Sequence, residues 1–178
     1  MDVGILDFIK SRRTVRRYTD GDISDEQVRL LLEVAVSAPT RFDIQPWHFV
    51  RLRNKPLQRQ VADTMRMHPY LETAAVVVVV WGEPERSPTW MMDCSAAIEN
   101  LLLAAHALDL GGAWVGGPGA LGWEDVEKLL RTALGVPPDV RLVSLVALGV
   151  PAQVLGPHGK DRWNRLHIHV DTWGNLWD

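Results

Sequence analysis

The chain has 178 residues, 47% hydrophobic and 23% charged, which excludes a disordered or low-complexity protein and fits one folded domain spanning residues 1–178. Nineteen Lys and Arg against 22 Asp and Glu leave a net charge of -3, so neither nucleic acid nor an anionic membrane is the partner that whole-molecule charge favours. The single cysteine, Cys94, excludes an internal disulfide framework and reads as a small buried apolar side chain.

The N-terminal stretch MDVGILDFIK lacks the charged start, long apolar core and small-residue cleavage site of a signal peptide. The longest apolar run, Ala74 to Trp81, is eight residues, where about 20 are needed to span a bilayer. A cytoplasmic protein is expected.

In chain order, residues 4–11 form a predicted short helix leading into SRRTVRRY at 11–18. Ser24 with Gln27 makes a capping box, after which Val28, Leu31, Leu32, Ala35 and Val36 recur at helical spacing until Ala38-Pro39 ends the run. The loop PTRFDIQP follows. HFVRLR at 48–53 alternates as a half-buried strand does, and 57–67 is helical. AAVVVVVW at 74–81 predicts a strand buried on both faces at the centre of the sheet, because a valine run is stiff at χ1 and leaves no polar side for water. Residues 92–109 are helical and apolar around most of the circumference, so they need burial on nearly all sides, within the domain or against another subunit. AWVGGPGAL at 113–121 is a short strand and a glycine turn, WEDVEKLLRTALG is an amphipathic helix ending at Gly135, and 140–149 is a second buried strand. The tail from Pro151 holds tryptophans at 163, 173 and 177 without periodicity and is expected to wrap over something.

The arginine cluster of SRRTVRRY admits two readings. Arg12, Arg13 and Arg16 with the Thr14 hydroxyl suit an anion such as phosphate, through charge-assisted and bidentate hydrogen bonds; the same residues suit a solvated basic turn. AWVGGPG likewise suits either a backbone that approaches a flat ligand and presents its N–H groups or a tight turn. His167 and His169 share a face of an extended segment, yet no further ligand motif completes a metal site, and packed or surface histidines are favoured. There is no P-loop, no strand-to-helix GxGxxG and no GxSxG nucleophile motif.

Together these segments resemble the nitroreductase family of flavin-dependent oxidoreductases over almost the whole chain. SRRTVRRY is similar to the family's N-terminal Arg-Arg-Ser-x-Arg pattern, and SAPTRFDIQPWHFV at 37–50 to its Ala-Pro-Ser-x-x-Asn-x-Gln-Pro-Trp loop. DCSAAIENLLLAAHALDLGGAWVGG at 93–117 resembles its long helix and glycine turn, and LVALGVP with KDRWNRLHIHVDTW its last core strand and Arg-containing C-terminal segment.

The resemblance implies an α+β fold, a three-layer α/β/α sandwich, in a homodimer that binds flavin mononucleotide (FMN) at the subunit interface. It implies hydride transfer from NADH or NADPH through flavin N5 to a nitroaromatic, a quinone or a related electron-poor acceptor in a ping-pong cycle. No protein side chain then serves as nucleophile and no metal is needed. By resemblance, Arg12 and Arg162 hold the flavin phosphate, Thr14 lies at the phosphate-ribityl region, Arg13 contributes through backbone or the ribityl chain, and Arg16 lies near N1 and O2. A cation there stabilises the reduced anion. Pro39, Thr40, Arg41 and Asp43 would reach the flavin from the other subunit, and the Val115, Gly116 and Gly117 backbone would lie beside N5.

Asp43 departs from the family asparagine and replaces a donor-acceptor amide by an acceptor-only carboxylate, so Asp43→Asn is expected to raise flavin potential or affinity. Arg41 stands where small residues are usual, either to pair with Asp43 or to offer charge to an acidic substrate. Variable segments at 63–73 and 83–92 would carry the substrate contacts. A specialised branch of the family (dehalogenation, flavin destruction, ring oxidation) and a low-turnover flavin-binding or sensing protein are the alternatives that the residues leave open.

Overall fold

A computed structural model describes residues 4–156, 158, 162 and 164–177. The chain divides into two compact units, one of Met1–Arg13 with Leu155–Asp178 and one of Thr14–Val154.

The larger unit is built on four antiparallel strands, β1 (Trp47–Leu52), β2 (Val76–Gly82), β3 (Gly111–Val115) and β4 (Arg141–Gly149), in spatial order β1-β2-β4-β3. The valine run is β2, paired on both edges and buried along its whole length, as its composition predicts. Side-chain alternation then sends Val77, Val79 and Trp81 into one apolar cluster and Val76, Val78 and Val80 into another. The first is covered by α3 (Lys55–Met65), α4 (Tyr70–Thr73) and α6 (Trp123–Leu134), the second by α2 (Asp25–Ala35) and α5 (Trp90–Ala107). Helices on both faces of one sheet give the expected three-layer α+β architecture.

Local chemistry sets the helix ends. Ser24 caps α2 in the predicted box with Gln27, and Gly135 terminates α6 with a left-handed φ of 67° that glycine adopts without penalty. Asn54 accepts from Leu57 N and starts α3 two residues before the predicted position, with Pro56 in the first turn. β3 also begins earlier than predicted, at Gly111. A Cβ on Gly111 would come within 2.7 Å of Val15 Cγ1, and one on Gly112 within 2.7 Å of Leu102 Cδ2, so both glycines are close-packing positions inside the strand.

Burial of α5 is one-sided within the chain. Cys94, Ala97, Ile98, Leu101, Leu102 and Ala105 are enclosed, whereas Met91 and Met92 are exposed, so of the two expected sources of burial the chain itself supplies only one face. Cys94 is fully enclosed, and burial pushes its thiol up to about 12, as suits an inert packing residue.

An ion-pair group around the buried Glu127 ties α6 to β4. Glu127 accepts from Arg131 Nη2 at 2.6 Å and from Arg141 Nε and Nη2 at 2.7 and 3.2 Å. Burial alone raises the Glu127 pKa, but the guanidiniums of Arg141 and Arg131 outweigh it and hold the carboxyl below its ordinary value. A depressed folded pKa means that this stabilisation is complete above the unfolded carboxylate pKa and fades as pH falls through the folded one. Because the Arg141 side chain is 55% exposed, Glu127→Gln is expected to cost roughly 2 kcal/mol near neutrality, below the range for a fully buried pair. Urea unfolding of both proteins at neutral and acidic pH checks this: the gap should narrow on acidification, and a pH-independent gap would contradict it.

The smaller unit contains α1 (Gly4–Ser11), as predicted, and the tail, with a 3-10 turn at Arg165–His167 capped by Asn164 and a bridge between His169 and Leu176. α1 buries no residue and leaves Ile5, Leu6 and Ile9 exposed; Leu166, Trp173 and Trp177 are exposed in the tail, while Trp163 lies outside the described residues. His169 stacks on Trp173 with ring centroids 4.3 Å apart, and its Nδ1 accepts from Gly174 N. Among the described residues no helix is long and apolar enough to cross a membrane.

Candidate functional site

In the larger unit, the second half of SRRTVRRY is fixed along the sheet. Thr14 bridges Gly112, Val15 N donates to Gly112 O at 3.0 Å, and Thr19 N donates to Val150 O at 2.9 Å. Tyr18 lies on Gly149, where a Cβ would come within 2.5 Å of its ring, and its hydroxyl is 2.8 Å from Val15 O and 3.1 Å from Ala147 O. Burial first, and Tyr70 second, push the Tyr18 pKa upward, so it stays a neutral donor. With Val15 buried, the extended backbone leaves Arg16 exposed. Arg17 is exposed as well.

Arg16 meets two residues that sequence reasoning missed. Its Cζ is 5.9 Å from the Tyr70 ring centroid, and the Tyr70 hydroxyl is 2.9 Å from His68 Nδ1. Burial, and then the Arg16 charge, lower the His68 pKa and favour the neutral imidazole. Only their place in the variable segment 63–73 pointed toward them.

The glycine turn after β3 is held from behind. Buried Ser144 donates from Oγ toward Val115 O at 3.0 Å and Gly116 O at 3.1 Å, and Gly117 O accepts from Ala120 N at 3.0 Å. Gly116 has φ 65°, and a Cβ on it would lie 2.4 Å from Trp123 Cζ3. Gly117 differs: an added Cβ would meet only Val143 O, at 3.7 Å, and among the described residues its N–H has no acceptor. The turn thus has a closed side at Gly116 and an open one at Gly117, which suits a flat ligand approaching a backbone donor.

The loop between α2 and β1 is clamped and strained. Phe42, Asp43 and Gln45 have φ of 51°, 56° and 51°. Arg41 N donates to Asp93 Oδ1 at 3.4 Å, and this buried carboxylate accepts through Oδ2 from Ser87 Oγ at 3.0 Å and Thr89 Oγ1 at 3.2 Å. Arg86 Nη2 donates to Ile44 O at 3.0 Å and Glu83 N to Pro46 O at 2.9 Å. Pro39 is exposed and Thr40 half-buried, its Oγ1 accepting from Gln45 N at 3.3 Å. Asp43 Oδ1 accepts from Gln45 Nε2 at 2.8 Å, while the Arg41 guanidinium lies 5.1 Å from the Phe42 ring centroid. Of the two roles open to Arg41, pairing with Asp43 is therefore not the one found.

In the smaller unit, residues from both chain ends converge. Arg13 Nη1 donates to Gly156 O, and His158 hydrogen-bonds the Arg12 backbone. Partial desolvation, then the charges of Arg162, Arg13 and Arg12, lower the His158 pKa. The charges of three arginines act on this one imidazole, so the locality is positive, as suits an anion. His158 carried no motif that singled it out. Arg12, Arg13 and Arg162 belong to the smaller unit, and Arg16, the 39–43 loop and Val115–Gly117 to the larger.

The sequence model described as the nitroreductase family matches residues 9–69 and 67–150. An Archaeoglobus fulgidus protein named "Putative NADH dehydrogenase/NAD(P)H nitroreductase" is 35% identical over 173 residues, covering 94% of this chain and 98% of its own. A crystal structure of a protein of the same name from Parabacteroides distasonis superposes with a TM-score of 0.86 at 29% identity, over 94% of this chain and 98% of that one. A crystal structure from Desulfovibrio desulfuricans, named "a putative nitroreductase in complex with fmn", has a TM-score of 0.76 at 32% identity, over 90% and 94%.

Proposed function

The chain belongs to the nitroreductase family, and on that premise we propose that it is an FMN-dependent NAD(P)H oxidoreductase that reduces nitroaromatics, quinones or related electron-poor acceptors. The observation that carries the reading is the convergence of Arg12, Arg13 and Arg162 about His158, a cationic group assembled from both ends of the chain. In this reading Arg12 and Arg162 take the flavin phosphate, and Arg13 contributes through its backbone or at the ribityl chain. The bound flavin supplies the centre that accepts hydride from the nicotinamide and passes it on.

The protein's own residues bind, orient and polarise. Arg16, steadied by Tyr70 and His68, places positive charge where negative charge develops on reduction. The Gly117 N–H, presented by a turn that Ser144 holds, would be a backbone donor to the flavin ring. Thr14 contributes at the phosphate-ribityl region. Pro39, Thr40, Arg41 and Asp43 complete the site from a second copy of the chain. The apolar side chains left uncovered on α1 (Ile5, Leu6, Ile9), on α5 (Met91, Met92) and in the tail (Trp173, Trp177) support a homodimer.

One site serving both substrates in turn gives ping-pong kinetics. Initial rates with NADPH varied at several fixed quinone concentrations are expected to give parallel double-reciprocal lines. Intersecting lines, or no turnover with either pyridine nucleotide, would overturn the proposal.

A further inference from the structure

We propose that Arg41 and Phe42 together select the acceptor, favouring aromatic compounds that carry a carboxylate or another anionic group. The inference rests on the oxidoreductase reading and concerns the substrate class of that same site.

Phe42 combines two unfavourable features. It is 84% exposed, and it holds φ 51° in the left-handed region, which is unfavourable for a residue with a Cβ. Burial does not offset that cost, since the ring joins neither core cluster. Its flanks nevertheless fix it: Asp93 holds Arg41 N, Arg86 holds Ile44 O, and Asp43 and Gln45 hold each other. Asp93 is anchored in turn by Ser87 and Thr89 at the start of α5. An exposed aromatic ring kept in a strained conformation by a buried carboxylate and a braced loop is a recognition feature.

The charges are arranged to the same end. The Arg41 guanidinium lies over the Phe42 ring, which limits its conformational freedom and leaves the N–H groups at its edge available for a fork-like pair with a carboxylate. The nearest acid in sequence, Asp43, is engaged by Gln45, and among the described residues Arg41 pairs with no carboxylate. The positive charge is therefore held but not neutralised. A ring face and a fixed cation side by side match an aromatic acid.

The test compares 4-nitrobenzoate with the neutral 4-nitrobenzyl alcohol as acceptors for the FMN-loaded enzyme, in wild type, Arg41→Gln, Arg41→Lys and Phe42→Ala. In Arg41→Gln the ratio of kcat/KM for the acid to that for the alcohol should fall roughly tenfold, through KM for the acid. Arg41→Lys should recover part of the ratio, and added salt should erode it in wild type. Phe42→Ala should raise KM for both aromatic acceptors. An unchanged ratio in Arg41→Gln overturns the inference, including the cases where both acceptors fall equally, as for a residue serving only the flavin, or where KM for NADPH alone rises. Wild type that reduces neither compound overturns the inference, and wild type that also fails to reduce a quinone overturns the oxidoreductase reading as well, whereas turnover without charge preference removes only the inference.

Discussion

Replacing Arg12 and Arg162 together by alanine is expected to weaken FMN binding on the order of a thousandfold and to leave riboflavin binding within a few-fold. The phosphate is the only group that distinguishes the two flavins, and the proposed phosphate ligands lie in the unit where Arg12, Arg13 and Arg162 act on His158. A hydrogen bond to a charged group contributes about 1.5–3 kcal/mol, so losing one from each arginine removes roughly 4 kcal/mol, close to three decades in Kd. Arginine to alanine also removes packed methylene groups. Arg12→Lys separates the two effects, because lysine keeps charge and stem but loses the bidentate fork. Fluorescence titration with each flavin reads the result. Equal losses for FMN and riboflavin, or no loss for FMN, would mean that these arginines serve something other than the phosphate.

Gly116→Ala is expected to destabilise the fold by about 3 kcal/mol. Two costs add: a Cβ at φ 65° carries about 1–2 kcal/mol of backbone strain, and overpacking typically adds about 1–3 kcal/mol. The overpacking is specific, since the new atom would lie 2.4 Å from Trp123 Cζ3 and 2.8 Å from Met65 Cε. Gly117→Ala is the informative partner. Its Cβ meets only Val143 O, at 3.7 Å, so stability should change by less than about 1 kcal/mol while FMN affinity drops, because the added methyl stands on the open side of the turn. Urea unfolding with FMN titration on both variants should therefore separate a folding glycine from a ligand glycine. Equal unfolding midpoints for the two variants would contradict the assignment.

Several parts of the fold were legible because single local rules dictate them. Five consecutive valines leave no face for water, and β2 is the buried inner strand that follows. Ser24 with Gln27 and the glycine at 135 are cap chemistry readable over a few residues. The one-sided burial of α5 was not legible, since alanines, leucines and a cysteine are spread around the helix and periodicity gives no direction when nearly every position is apolar or small.

The site shows the same boundary between local and distant information. Arg12, Arg13 and Arg162 could be paired by resemblance, but the approach of His158 to them follows from the path of the tail, which carries no periodic pattern. Tyr70 and His68 reach Arg16 only because the sheet places α4 beside the 14–19 segment. Asp93 reads in sequence as an acid favourable to a helix N-terminus; its bond to Arg41 N spans 52 positions and depends on how α5 enters the fold. Adjacency in sequence left two roles open at Arg41 and could not choose between them. Left-handed backbone at Phe42 and Asp43 brings Asp43 to Gln45 rather than to Arg41.

The most direct measurement is an anaerobic titration of the FMN-reconstituted protein with NADPH, followed in the visible flavin band, and then addition of a quinone. One flavin bound per chain, loss of the band with one equivalent of NADPH per flavin, and its return on adding quinone are the predicted results. Protein that takes up no FMN, or a flavin band that neither NADPH nor NADH bleaches, would contradict the account.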